Sequence, residues 1–226
     1  MTAREVVRDN GLSLAFGGLF LGSLVGQALS GVADFNEQRE AQDLAALSLG
    51  RYVTSSSFAV DVMENWQSEY LQFFLFVFAT VWLVQRGSPE SKSLDKAGRE
   101  SDRDQKVGAF AERGSPSWAR ARGWRLTLFS NSLGLVMGLI FLGSWIAQFV
   151  AGAAAYNEEQ LGDLQDPVSL GGYLREPDFW NRTLQNWQSE LLAVASIVIL
   201  AIYLRQRGSP QSKPVGARHT STGVEG

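Results

Sequence analysis

The chain has 226 residues, enough for one or two modest domains. It contains no cysteine, and its one histidine, His219, lies in a polar C-terminal tail, which excludes disulfide frameworks, thiolate nucleophiles and most zinc sites. The net charge of −3 and the hydrophobic share of 45% are ordinary, but apolar and charged residues are strongly segregated along the chain.

Two long uncharged segments indicate membrane spans. The first is Gly11–Ala33 and the third apolar run is Leu128–Ala155, and both exceed the roughly 20 residues that cross a hydrocarbon core. A buried helix of a soluble protein would show a polar stripe. A cleavable signal peptide ending near Ala28–Ser30 is the alternative for the first run, but that run is too long for a signal h-region. We therefore expect an uncleaved anchor at about 11–33 and a span at about 128–155.

The other two apolar runs, Tyr70–Val84 and Leu191–Leu204, are too short to span alone. Each directly follows the motif "NWQSE", at Asn65–Glu69 and Asn186–Glu190. If each helix continues backward through its motif, spans result over 66–85 and 187–206. In this interpretation the motif is a membrane entry. Its asparagine, Asn65 or Asn186, would be the N-cap, and its tryptophan, Trp66 or Trp187, an interface anchor.

Lysine and arginine are unevenly distributed between the polar segments. The two tails and the segment between the second and third runs hold 16 of them, and the two other loops hold four. The positive-inside rule then places both termini and the central segment in the cytoplasm. The sequence predicts an all-α membrane protein with four transmembrane helices and two acid-rich outer loops, at 34–65 and 156–186.

The two halves of the chain are similar to each other. Aligning residues 10–92 with 131–213, an offset of 121, gives 33 identical positions of 83 without a gap. We therefore predict two tandem helical hairpins, a first repeat at 1–92 and a second at 127–213. A flexible cytoplasmic linker is expected at 93–126 and a disordered tail at 214–226. "RGSP" after the second and fourth runs is interpreted as a helix stop signal, with a docking motif as the alternative.

Polar and small residues within the spans are candidates for function and for packing. Counting residues from the cytoplasmic ends puts Gln27 level with Glu69, and Gln148 level with Glu190, so these four form a candidate polar intramembrane site. Small residues at four-residue spacing predict close helix packing at Gly18, Gly22, Gly26, Gly143 and Ala147. Arginines near two tryptophans predict contacts with anionic lipid headgroups at Arg120, Arg122 and Arg125.

The combination of "NGLSL", "FNEQ", "ENWQSE" and "QRGSPESK" resembles a family of bacterial multi-pass membrane proteins known as domain of unknown function 6766. The resemblance covers both halves and most of the chain. It implies a multi-pass topology in a bacterial cytoplasmic membrane, and it implies no activity, substrate or cofactor.

Three functional hypotheses follow. The first is a non-enzymatic four-helix bundle with a structural or envelope-related role. The second is a small proton or cation channel or transporter that uses Glu69 and Glu190 and requires dimerisation. The third and weakest is a membrane enzyme, with Glu37 and Glu158 as divalent-cation ligands. We expect no enzyme activity, no cofactor, no metal and no nucleic-acid partner. The expected partners are the lipid bilayer with its anionic headgroups, and a homo-oligomer is left open.

Overall fold

A computed structural model describes residues 2–224, and within that range the chain is helical and contains no strand. Three 3-10 helices of three or four residues lie between positions 94 and 120. The α-helices are α1 (Ala3–Asp9), α2 (Gly11–Ala41), α3 (Leu49–Tyr52), α4 (Ser56–Ala79), α5 (Trp124–Ser130), α6 (Ser132–Gly162), α7 (Leu170–Tyr173) and α8 (Pro177–Tyr203). The all-α prediction is therefore confirmed for the described residues.

Three of these helices are long and apolar enough to cross a membrane: α2, α6 and α8. At about 1.5 Å per residue, the 31 residues of α2 or α6 extend about 46 Å, more than the hydrocarbon core requires. All three overlap predicted spans, although α2 and α6 continue beyond the predicted ends at Ala33 and Ala155.

The helix expected over 66–85 has different bounds, because α4 begins at Ser56 and ends at Ala79. Ser55 caps its start, since the Ser55 hydroxyl accepts from the Phe58 N–H at 3.2 Å. Its end is marked by Val81 N–H bonding to the Phe78 carbonyl, three residues back, which tightens the last turn. α4 includes three acids, Asp61, Glu64 and Glu69, and it is not among the three helices that are long and apolar enough to span.

The start of α8 also lies earlier than expected. Glu176 is its N-cap, Pro177 occupies the first helical position, and Asp178 places an acid in the first turn. Both copies of "NWQSE" therefore lie inside helices. The N-cap role expected for Asn65 and Asn186 is wrong, because each helix begins nine residues before its asparagine.

Contacts divide the chain into two compact units. The first holds the residues up to Val62 together with Ala147–Arg175. Its loops are held by two asparagines. The Asn36 side chain accepts from Leu47 N–H at 2.8 Å and donates to the Leu47 carbonyl at 3.0 Å. Asn157 makes the same two bonds with Val168, at 2.8 and 2.9 Å.

Two tyrosines in the same unit pack against glycines. A Cβ on Gly31 would collide with the Tyr52 ring, and a Cβ on Gly152 with the Tyr173 ring. Tyr52 and Tyr173 are 4% and 0% exposed, so they form the centre of this unit's small core. Glycine is required at both positions because of this close approach rather than because of a special backbone angle.

The second unit holds Met63–Ile146 and the residues from Glu176 onward. It contains most of α4, all of α8 and the N-terminal half of α6. It also contains the polar segments that follow α4 and α8. Residues 93–126, expected as a flexible linker, form turns and the three 3-10 helices. Residues 214–224, expected as a disordered tail, include carbonyls that accept hydrogen bonds from Lys213.

Candidate functional site at the repeated NWQSE motif

The two copies of "NWQSE" belong to the second unit and lie on α4 and α8. The serine of each copy, Ser68 or Ser189, donates to the carbonyl of its asparagine at 2.9 Å. This local bond satisfies the hydroxyl within its own helix. Asn186 also bonds within its own helix, since its amide donates to the Arg182 carbonyl at 2.8 Å.

One hydrogen bond joins the two copies directly. The indole Nε1–H of Trp187 donates to Oε1 of Gln67 over 2.6 Å. Gln67 is fully buried, and its Nε2 has no acceptor among the described residues. Burying an amide group without a hydrogen bond costs free energy. The bond from Trp187 is therefore the hydrogen bond that stabilises the Gln67 side chain in this buried position.

A second link between α4 and α8 is ionic. The Arg182 guanidinium lies 3.2 Å from the Glu64 carboxylate and 3.1 Å from that of Asp178, one turn back on its own helix. The side chains are about one-third exposed or less: 35% for Arg182, 32% for Asp178 and 17% for Glu64. This partial burial reduces solvent screening, so the network is worth more than a fully exposed pair.

Aromatic rings surround these polar contacts. Trp145 donates its Nε1–H to the buried Thr183 hydroxyl at 3.3 Å, linking α6 to α8. Its ring centroid lies 5.9 Å from Trp187 and 6.1 Å from Phe179. Centroid separations of this size give favourable offset or tilted ring contacts. α4, α6 and α8 are thus joined here by aromatic packing and by directed hydrogen bonds.

The two motif acids are less enclosed. Glu69 is exposed and Glu190 half-buried, and neither makes a hydrogen bond or an ion pair with the rest of the described chain. The carboxylates are nonetheless near enough to act on each other electrostatically. Two acids, one on α4 and one on α8, are therefore near each other in the second unit, and neither forms an ion pair with a basic side chain of the described residues.

Gln27 and Gln148 belong to the first unit, where Gln27 is half-buried and Gln148 is 1% exposed. The expected contacts of Gln27 with Glu69 and of Gln148 with Glu190 stay predictions. Of the predicted anchors, Trp66 is 37% exposed and Asn65 is exposed, whereas Trp187 is half-buried and used in its bond to Gln67.

The predicted small-residue packing positions are mostly open. A Cβ added to Gly18, Gly22, Gly26 or Gly143 would meet no atom within 4 Å. Ala147 is half-buried. Among the described residues, the two glycines whose added Cβ would come within 3.0 Å of a side-chain atom are Gly31 and Gly152. Sequence reasoning missed them, although each lies 21 residues before a tyrosine in both halves of the chain.

The three predicted headgroup arginines do not converge on one point. Arg120 donates to the Glu112 carbonyl at 2.8 Å, the Arg125 guanidinium lies 5.6 Å from the centre of the Trp124 ring, and Arg122 is exposed. Among the described residues, no group of three or more acidic or histidine side chains could hold a metal ion. Glu158, considered as a cation ligand, lies 3.4 Å from Arg39.

A polar cluster that sequence reasoning missed lies around Lys213, which is 1% exposed. Its Nζ donates to the Gly87 carbonyl at 2.5 Å and to the His219 carbonyl at 2.9 Å. The carbonyls of Arg218 and Ser221 lie at 3.3 Å. The ammonium thus ties the C-terminal segment to the first "RGSP". Its pairing could not be read from sequence, because Lys213 and Gly87 are 126 positions apart.

All three copies of "RGSP" form the same tight turn. The serine N–H of each copy bonds to a carbonyl three residues back, at 3.2, 3.1 and 3.2 Å for Ser88, Ser115 and Ser209. Each glycine before it has a positive φ, as the third position of such a turn requires. α4 ends at Ala79, seven residues before the first copy, and α8 ends at Tyr203, four residues before the last copy. The motif itself is a turn, and its role as a helix stop signal stays a prediction.

Comparison with known proteins gives a family but no annotated relative. The model of the family "Domain of unknown function (DUF6766)" matches residues 3–224, and the chain belongs to this family. No curated protein and no solved structure matches the chain.

Proposed function

Since the chain belongs to a family whose name carries no activity, we propose from its own contacts that it is a non-enzymatic integral membrane protein with a structural or envelope-related role. In this proposal α2, α4, α6 and α8 are four spans of a bacterial cytoplasmic membrane. They form two tandem hairpins, with both termini and residues 93–126 on the cytoplasmic side.

Paired features of the two halves support the duplication. α2 and α6 have the same bounds at an offset of 121 residues, as do α3 and α7. The loop asparagines Asn36 and Asn157 make equivalent bonds at this offset. The fourth span rests on α4, whose 24 residues extend about 36 Å, enough to cross the core despite its acids. The 16 to 4 distribution of lysine and arginine supports an even number of crossings.

The structural role rests on one observation, the bond from Trp187 to Gln67 between the two motif copies. The motif's most buried polar side chain is used to join helices, and the neighbouring Arg182 and Glu64 join the same two helices. Side chains engaged in this way hold a bundle in one register, and they are not available to bind a passing solute.

A proton or cation pathway is the second candidate, because Glu69 and Glu190 lie close together and pair with no other described side chain. Acids within membrane helices are functional candidates by default. In this alternative the two carboxylates share a proton or a cation between the repeats, and a dimer completes the pathway.

Flux measurements separate the two candidates. Wild-type protein and the Glu69→Gln/Glu190→Gln variant are reconstituted in liposomes that carry a pH-sensitive dye, and proton and potassium fluxes are recorded. The structural role predicts no flux above that of empty liposomes for either protein. The matched control is Glu37→Gln/Glu158→Gln, which changes two acids near the C-terminal ends of α2 and α6. Wild-type flux that is lost in the motif variant and kept in the control would establish the second candidate instead.

A further inference from the structure

A groove outside the motif cluster lies along the α5–α6 junction. It is formed by residues on one face of α5 and the start of α6, together with Arg99 from the preceding segment. The groove has a volume of about 600 Å³, within the usual range of small-molecule sites of about 300–1,000 Å³. It is lined by Arg99, Trp124, Thr127, Leu128, Asn131 and Leu135.

The backbone around Arg99 is fixed on both sides. Gly98, just before it, donates its N–H to the Val81 carbonyl at 2.7 Å. Lys92 donates to the Gly98 carbonyl at 3.1 Å. It also forms an ion pair at 3.1 Å with Glu100, the residue that follows Arg99. The arginine is therefore presented by an anchored loop, and the neighbouring acid Glu100 is already paired.

The charge of Arg99 is not matched within the groove. Its guanidinium lies 5.9 Å from the centre of the Trp82 ring, and no carboxylate of the described chain forms an ion pair with it. A guanidinium presents a planar set of donors that suits a phosphate. The groove thus contains a guanidinium that no acidic side chain of the described residues neutralises, and this favours an anionic ligand.

The α5 and α6 residues that line the groove include both polar and apolar side chains. Thr127 donates its hydroxyl to the Gly123 carbonyl at 3.4 Å, and Asn131 donates one amide N–H to the Thr127 carbonyl at 2.7 Å and has a second amide N–H. Leu128 and Leu135 are 42% and 44% exposed. Trp124, 68% exposed, stands at one end of the wall. The wall runs directly into α6, one of the three helices apolar enough to cross a membrane. A ligand that contacts both the Arg99 guanidinium and the exposed leucines is an amphiphile with an anionic head.

We propose that the groove binds an anionic phospholipid. The phosphate contacts Arg99, with the second amide N–H of Asn131 as a further donor, and the first part of an acyl chain lies on Leu128 and Leu135. Basic pockets beside transmembrane helices bind anionic headgroups in this way. A free phosphate ion would use the arginine but leave the leucine wall uncovered, so the lipid is the occupant that fits. This proposal requires only that α6 enters a membrane, and it does not depend on the structural role.

The test uses the full chain in detergent micelles. Phosphatidylglycerol with brominated acyl chains is titrated in, and quenching of tryptophan fluorescence reports binding. Brominated phosphatidylcholine is the neutral comparison. We expect phosphatidylglycerol to bind more tightly than phosphatidylcholine, and Arg99→Gln to weaken phosphatidylglycerol binding about tenfold, the loss of one charged contact. Trp124→Phe is expected to reduce the amplitude of quenching because it removes a reporter from the groove wall.

The matched control is Arg103→Gln, which removes a nearby cation whose guanidinium lies over Phe110 rather than in the groove. It is expected to bind phosphatidylglycerol as the wild type does. Equal binding by Arg99→Gln and Arg103→Gln would overturn the proposal, and so would equal affinity of the wild type for the two lipids. Displacement of the lipid by millimolar glycerol 3-phosphate would also overturn it, by assigning the arginine to soluble phosphates.

Discussion

Trp187 donates its indole N–H to the side-chain oxygen of Gln67, and the two residues belong to different copies of one five-residue motif. The motif is thus used twice in unlike ways, since one copy supplies the donor from its tryptophan and the other the acceptor from its glutamine. The two halves also differ in charge nearby. Position 61 is an aspartate and its equivalent, 182, is an arginine, which pairs with Glu64 of the first half.

The ionic link predicts a specific loss of stability. Arg182→Gln leaves the partly buried Glu64 without its cation, and we expect it to destabilise the protein by about 1–2 kcal/mol. Thermal unfolding in detergent measures the change. Arg175→Gln, at an exposed position near the start of the same helix, is the control and should change stability by less than about 0.5 kcal/mol. Equal effects of the two substitutions would mean that the network contributes nothing.

The loop asparagines predict a second, local effect. Asn36→Ala removes both hydrogen bonds to Leu47, and Asn157→Ala removes both to Val168, so each should cost about 1–3 kcal/mol. Hydrogen exchange should accelerate at the amides of 43–48 in the first variant and of 164–169 in the second. Gln38→Ala, which loses only a bond to Asp34 on the exposed side of α2, is the control. Unchanged exchange in both loops would refute the role of the asparagines.

Tyr52 predicts a pH dependence. Burial raises the pKa of its phenol above the usual 10.0, and the carboxylates of Asp61 and Asp34 raise it further. The folded chain then keeps this proton at pH values where the unfolded chain has lost it. The stability that neutral Tyr52 contributes is therefore complete below about pH 10 and is lost as pH rises through the folded-state pKa.

Absorbance at 295 nm measures this directly. The difference between wild type and Tyr52→Phe should show one phenol that ionises late, and the variant should lose less stability above pH 10. Tyr203→Phe, which removes a 61% exposed phenol, should keep the late component. A difference titration centred at pH 10 or below would contradict the burial of Tyr52 against Gly31.

Lys213 predicts the exposure of the C-terminal segment. Lys213→Met removes the donor shared by the Gly87, Arg218, His219 and Ser221 carbonyls, and we expect trypsin to cleave after Arg218 several-fold faster. The control is Lys92→Met, the equivalent lysine of the first half, which bonds to Gly98 and Glu100 instead. If both variants are cleaved at the wild-type rate, the segment is held by other contacts.

Composition and hydropathy were sufficient to predict the helical class and the three apolar helices, because both depend on residue types within short segments. The starts of α4 and α8 were not predicted. Ser55 lies in a run of three serines, any of which could cap a helix, and the entry signal expected at Asn65 was more conspicuous. Capping is decided by the backbone angle at one residue, which spacing does not reveal.

The contacts between side chains of the two motif copies could not be predicted from the sequence either. An acid beside an apolar run is unusual and predicts a site at Glu69. The buried contact is instead made by Gln67, two positions earlier. Which face of α4 meets which face of α8 depends on packing between segments about 120 residues apart. Periodicity within one helix defines its faces but not their partners.

We propose that the repeated motif joins α4 to α8, and a double-mutant cycle on Gln67 and Trp187 tests this role. The variants are Gln67→Leu, Trp187→Phe and the pair, each unfolded in detergent under the same conditions. A coupling of about 1 kcal/mol is expected, since either single substitution already breaks the 2.6 Å bond and the second then costs less. Additive effects, with coupling within about 0.3 kcal/mol of zero, would contradict a lock between the two copies.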